Sequence, residues 1–313
     1  MRTVCVVCGA MAGHHHLDHH GHVHHIDEAD WAALAEQTEL QGEVTLSFLT
    51  DTIAWLNDVR DPDAPPVRRV LDIGSGPGVG TCELARLFPL AQVVAVDSSP
   101  AMLERATRRI DSHGLSARVT TLTAELPHGL DNIEPVDVVW ASMSLHHVGD
   151  EVAALRVLGG LLAPFGQIAI AELGDPTRTL PAELGIGRAG LADRLDGASA
   201  EWFGGMRAGL PDSVGTRDLS TMVAEAGLRV VGSRLATQRL DAPLPPSARR
   251  VVRNQLDRAR EQLADHLDAA DIETLRVLAD EHHPLGVMCR DDVFMEDSRQ
   301  IVIAGQPFGR IRA

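Results

Sequence analysis

The run Val70-Leu71-Asp72-Ile73-Gly74-Ser75-Gly76-Pro77-Gly78-Val79-Gly80 constrains this chain more than any other stretch. Apolar residues lead into it, glycines crowd its middle, and a helical pattern follows at 81–88. Glycine tolerates positive φ and lets backbone approach a ligand with no Cβ in the way. The helix beyond opens with unsatisfied N–H groups and the positive end of a dipole. The same rhythm continues downstream. Strands are predicted at 67–73, 91–97, 118–122, 136–141 and 167–172, with Pro164-Phe165-Gly166 read as the turn before the last of these. Helices are predicted at 81–88 and 151–162, and another opens at Ser99-Pro100, with Ser99 as N-cap and Pro100 at the first helical position. Such alternation predicts a parallel sheet with helices on both faces.

The glycine register decides between ligands. A dinucleotide loop wants G-x-G-x-x-G, whose last glycine lets helix and strand pack closely around a pyrophosphate. Counted from Gly74 and Gly76, that glycine falls at Val79; counted from Gly76 and Gly78, it falls at Thr81. The register is G-x-G-x-G instead, preceded by Asp72. An acid directly before the glycines suits a cation and would repel a pyrophosphate. S-adenosylmethionine (SAM) carries no phosphate but does carry an α-amino group. Asp97 ends the second strand, 21 residues after Gly76, where an acid can accept from both ribose hydroxyls. Ribose recognition is common to NAD and SAM, so Asp97 alone does not discriminate.

From about 68 to 172 the chain resembles the class I SAM-dependent methyltransferases, particularly the branch similar to ubiquinone/menaquinone C-methyltransferases. The resemblance rests on Val70–Gly80, on Val96-Asp97-Ser98-Ser99-Pro100-Ala101-Met102-Leu103, on Asp137-Val138-Val139-Trp140-Ala141-Ser142-Met143-Ser144-Leu145-His146-His147, and on Leu161-Leu162-Ala163-Pro164-Phe165-Gly166. It implies a doubly wound, Rossmann-like seven-stranded α/β sheet with a helical N-terminal extension and helical insertions near the acceptor site. It also implies a residue map. Asp72, Gly74 and Gly76 would hold the methionine end, Asp97 the ribose, and Ser98 and Met102 would flank the adenine, with Ser75 and Ser142 also on the cofactor. The third motif departs from the family's Gly-Asp-Ala: Leu122-Thr123-Ala124 puts Thr123 where Asp normally meets the adenine amino group, and leaves the Ala124 N–H to serve.

Methyl transfer from a sulfonium is an in-line displacement, for which a protein mainly supplies alignment and exclusion of water. A base is needed only if the acceptor carries a proton at the pH of reaction. His146, His147 and Glu172 fall at the carboxyl ends of the fourth and fifth strands, where doubly wound sheets bind ligands. Each is a candidate base or a positioning group.

The flanks are less specific. Residues 1–29 read as a disordered tail, in which His14, His15, His16, His19, His20, His22, His24 and His25 could ligate a divalent metal. Met11 is a candidate translational start. A helical segment spans 30–60, with Asp30 as its cap, and the linker Asp61-Pro62-Asp63-Ala64-Pro65-Pro66 follows. The SAM-binding domain is expected over 67–240 and 294–313, with a helical insertion at 241–293. Residues 174–215 read as a partly helical loop, and 246–281 as two charged helices divided near 267–271. These two segments are expected to gate an acceptor pocket, the second alternatively forming a homodimer face.

Composition narrows the chemistry. The formal net charge is −16, which argues against a nucleic-acid backbone as partner. No Lys or Tyr is present, which excludes Schiff-base lysine and phenol chemistry. Cysteines at 5, 8, 82 and 289 make no disulfide framework, and no run of 18 apolar residues exists, so a cytoplasmic setting without a membrane span is expected. The expected partner is a small-molecule methyl acceptor, with S-adenosylhomocysteine as coproduct. The competing readings are an NAD-dependent oxidoreductase and a metal-binding protein that works through its His-rich tail.

Overall fold

A computed structural model of the chain describes the backbone of residues 16–17, 23–24, 28–213 and 218–307, and side chains within 33–213 and 218–307. Seven strands form one sheet: β1 (Arg69–Ile73), β2 (Gln92–Asp97), β3 (Val119–Thr123), β4 (Val136–Ser142), β5 (Leu162–Leu173), β6 (Arg229–Leu240) and β7 (Met295–Gly305). Their order across the sheet is β3-β2-β1-β4-β5-β7-β6. The pairs β1–β2, β1–β4, β2–β3 and β4–β5 are parallel. The doubly wound α/β expectation therefore holds. The order reverses at β1, whose neighbours are β2 and β4, so the crevice beyond the end of β1 is the switch point where such sheets bind ligands.

The helices are α1 (Glu28–Val44), α2 (Leu46–Val59), α3 (Val79–Leu87), α4 (Pro100–Ser112), α5 (Glu151–Gly160), α6 (Leu191–Gly209), α7 (Leu219–Glu225), α8 (Pro246–Gln262) and α9 (Ala269–Ala279). The starts of α4, α5, α7 and α9 follow from short polar side chains that accept an orphan amide. Ser99 accepts from Met102 N at 3.3 Å, Asp150 from Ala153 N at 2.8 Å, Asp218 from Thr221 N at 3.0 Å and Asp268 from Asp271 N at 3.0 Å. At the other end of α3, the Arg118 guanidinium donates to Ala85 O and Ala91 O, both at 3.0 Å, a cation where the dipole favours one. The central strands are buried along nearly their whole length, as expected of strands covered on both faces. Leu71, Val139, Leu155, Ile168 and Ile170 form the centre of that core.

Three local expectations are corrected. The segment 30–60 holds two helices parted at Thr45, and Asp30 lies inside α1 rather than capping it. Pro164-Phe165-Gly166 does not precede β5 but lies within it, at a register shift against β4 between Val136 and Val138. An irregular bulge absorbs three extra residues, Leu162 to Gln167 running against Val136 to Val138, with Phe165 at φ 66. The expectations for the His-rich tail fall mostly outside the described residues, as do Cys5 and Cys8. The exceptions are His16–Leu17 and Val23–His24, whose backbones pair antiparallel.

The chain divides into two compact units, one of 29–172, 210–235 and 300–313, the other including 173–209 and 236–299. The second therefore joins the two segments that break the alternation. Within it Asp271, at the start of α9, accepts from Arg194 Nε at 2.6 Å and Nη2 at 2.8 Å and from Arg188 Nη2 at 2.9 Å. These bonds, the Arg194 ones above all, hold the Asp271 carboxyl below the usual carboxylate range. Gly187, at φ 68, sits where a Cβ would overlap the Thr274 side chain.

Candidate cofactor-binding site

The glycine loop leaves β1 and enters α3 through three left-handed residues: Gly74 at φ 65, Gly76 at φ 52 and Gly78 at φ 83. A side chain is strained at each of these. Gly78 is also the N-cap of α3, and a Cβ there would meet Ala106 of α4 at 2.9 Å. Ser75 N donates to Val96 O at 3.0 Å, tying the loop to the end of β2.

Asp72 is 3% exposed, and Thr81 Oγ1 donates to its Oδ2 at 2.5 Å. Burial pushes its pKa from 3.8 up to about 7; the Thr81 hydrogen bond opposes this and the Asp97 charge adds to it. Asp97 is 6% exposed, and burial raises its pKa against the pull of backbone amides. Its Oδ2 accepts from Gly76 N and its Oδ1 from Ser99 N, each at 2.9 Å. Each oxygen retains a lone pair for a further donor. Thr81 and Thr38 were missed in the sequence. Thr81 lies nine residues beyond Asp72, within reach once strand turns to helix. Thr38 of α1 sets its methyl 3.6 Å from the Cβ position of Gly76, and Gly42, which leaves α1 bare at that point, rests on Val79.

The remaining expected cofactor residues divide. Ser142 ends β4, part-buried, opposite Ala171. Ser98 is exposed, whereas Met102 is fully buried and belongs with the core side chains rather than an open adenine face. Thr123 is exposed and pairs with Asp97 across β2 and β3. The Ala124 N–H, expected to serve the adenine, donates instead to Asp97 O at 3.1 Å.

Beyond β4, His146 Nδ1 lies 2.6 Å from Glu172 Oε2, and the His146 and His147 rings touch with centroids 4.1 Å apart and planes tilted by 45°. Glu172 Oε1 accepts from Ser144 N at 2.9 Å and Leu145 N at 2.8 Å. The structure thus brings His146, His147 and Glu172 together. Ser144 lies against Gly74, where a Cβ would overlap its own. The hydroxyls of Ser75 and Ser144 are both buried and have no hydrogen-bond partner among the described residues. Buried hydroxyls of this kind, beside a loop too tight for side chains, fit a polar ligand laid on the backbone.

Residues 70–166 match the family described as a methyltransferase domain. This segment is a methyltransferase domain. Trans-aconitate 2-methyltransferase of Methylobacterium radiotolerans is 34% identical over 140 residues, covering 41% of this chain and 51% of that protein. Malonyl-[acyl-carrier protein] O-methyltransferase of Halorhodospira halophila is 37% identical over 110 residues, covering 35% and 36%. A SAM-dependent methyltransferase from Geobacter sulfurreducens, solved with S-adenosyl-L-homocysteine, aligns over 82% of this chain and 91% of that one, at 18% identity and a TM-score of 0.45. The chain spans about half the length, or less, of these two curated relatives. Within the methyltransferase domain, the matched segment holds Asp72, the glycine loop, Asp97 and Ser144, and stops short of Glu172. Among the described residues no helix is long and apolar enough to cross a membrane, and no group of three or more His, Cys, Asp or Glu could hold a metal ion.

Proposed function

We propose that this protein transfers the sulfonium methyl group of SAM, in line, to an O, N or C atom of a small-molecule acceptor. The observation that carries the reading is the cradle at the switch point: three left-handed glycines above the buried Asp72, with Asp97 at the neighbouring strand end. Bound SAM supplies an already activated methyl group, so the chain's task is alignment and exclusion of water. Gly74, Ser75 and Gly76 present backbone and a hydroxyl to the methionine end, and Asp72 supplies the negative charge for its ammonium group. Asp97, held by Gly76 N and Ser99 N, has lone pairs for ribose hydroxyls. Ser98, Thr123 and Ser142 belong to the same proposal as rim residues. The trans-aconitate relative supports a small acceptor. Residues 174–215 and 246–281 are proposed to select it, and replacing 246–281 by a short turn should lower methyl transfer while leaving SAM affinity near wild type.

The test is calorimetry and thermal shift with SAM, S-adenosylhomocysteine and NAD. Micromolar binding of the two SAM species and none of NAD is expected. A thermal shift from NAD alone would refute the reading.

A further inference from the structure

Glu172 follows Ala171, the register partner of Ser142. Parallel neighbours end together, so the turn leaving β4 falls beside the Glu172 carboxylate. Its Oε1 takes two backbone donors, Ser144 N and Leu145 N, and its Oε2 faces His146 Nδ1. An ionised carboxylate only accepts, so His146 carries its proton on Nδ1. Met143, just before, sits at φ 54, a region that costs a non-glycine residue about 1–2 kcal/mol. Its amide donates to Ala171 O at 2.9 Å. Such a conformation persists only where the surroundings over-determine it. What the turn delivers is the Ser144 side chain, seated where a Cβ on Gly74 would stand, with a buried hydroxyl unpartnered among the described residues.

We propose that Glu172 is a positioning residue: through the amides of Ser144 and Leu145 and the imidazole of His146, it holds the Ser144 hydroxyl over Gly74 as a contact for the cofactor's methionine end. This rests on the SAM reading above. With Nδ1–H turned to Glu172, Nε2 is the ring nitrogen left to take a proton, but the side chain is 6% exposed and Nε2 is buried, so His146 braces the carboxylate and is withheld from the acceptor. A hydroxyl held this way needs no reorganisation when the ammonium-bearing end of the ligand arrives, which is the benefit of preorganisation.

Full-length Ser144→Ala, Glu172→Asp and the double variant test this. Ser144→Ala should weaken S-adenosylhomocysteine binding about tenfold by calorimetry, about 1.4 kcal/mol, with an unchanged melting temperature. Aspartate is one methylene shorter and cannot reach both amides and the imidazole together. Glu172→Asp should therefore show a similar loss, and the double variant should bind no more weakly than Ser144→Ala alone. Imidazole 15N shifts should report an Nδ1-protonated His146 in the wild type and a changed ring environment in Glu172→Asp. Binding by Ser144→Ala within twofold of wild type overturns the proposal, and so do additive losses in the double variant. Should Glu172→Asp fail to fold, Ser144→Ala decides alone. Wild-type protein that binds no S-adenosylhomocysteine refutes the cofactor reading itself, an outcome visible before any variant is made.

Discussion

Replacing Asp72 by asparagine turns the buried charge into a measurable pH dependence. The folded-state pKa stands at about 7 against 3.8 for the free side chain, chiefly because burial penalises the carboxylate. An acid whose pKa is raised by folding binds its proton more tightly in the native state. Stability is then undiminished below pH 3.8, falls as pH rises from there to about 7, and is flat above it. At roughly 1.36 kcal/mol per pH unit, full titration costs the unliganded protein about 4 kcal/mol. About 3 kcal/mol of that falls between roughly pH 5 and pH 8. The carboxamide of the Asp72→Asn variant would be neutral throughout, and its carbonyl could accept from Thr81 as Oδ2 does now. Urea unfolding of both proteins at the two pH values should show the variant gaining about 3 kcal/mol on the wild type as pH rises. Ligand binding should run the other way. The ammonium of S-adenosylhomocysteine favours ionised Asp72, so wild-type affinity should rise between about pH 6 and pH 8. The variant should bind about 10- to 100-fold more weakly at the upper end of that range, the loss of one charge-assisted hydrogen bond. Parallel stability profiles for the two proteins would refute the argument that burial governs this carboxyl.

The same compact unit carries two more tests. Asp97→Ala should weaken S-adenosylhomocysteine by about 2–4 kcal/mol, and should also lower unfolding stability by about 1–3 kcal/mol, because Gly76 N and Ser99 N lose their acceptor. Calorimetry and urea titration read the two effects, and an unchanged affinity would place the ribose acid elsewhere. Glu39 of α1 accepts from Arg105 Nε at 2.9 Å and Nη2 at 2.7 Å, and pairs with Arg109. Burial pushes its carboxyl up, but the two guanidinium groups outweigh that and hold it below 4.5. The contribution is therefore present above pH 4.5 and lost as pH falls through the lowered value. Glu39→Gln should speed hydrogen exchange in α1 at neutral pH, with a cost of about 1–2 kcal/mol that vanishes in acid. Equal exchange rates at neutral pH would show that apolar packing alone docks the helix.

What could be read from the sequence follows from how locally each feature is encoded. The glycine loop was legible because positive φ at 74, 76 and 78 admits little but glycine, so backbone geometry is written directly in residue type. Asp97 was legible because a strand of known length must end near the loop it supports. The cap at Ser99 is likewise local. The Phe165 bulge was not, because Pro164-Phe165-Gly166 has the composition of a turn and only pairing with β4 shows that the strand runs through it. Burial of Met102 and the use of the Ala124 amide by Asp97 O depend on neighbours that no spacing names. The Glu172 contacts lie 26 to 28 residues apart in the chain. Yet a signal for them existed. Once β4 and β5 are taken as adjacent parallel strands, the residues just past their ends must meet, and there the sequence offers an acid on one side and two histidines on the other. A polar pair at adjacent strand ends is therefore better read first as a brace for the intervening turn. A proton-transfer role needs a ring nitrogen that reaches the acceptor, and adjacency alone does not supply it.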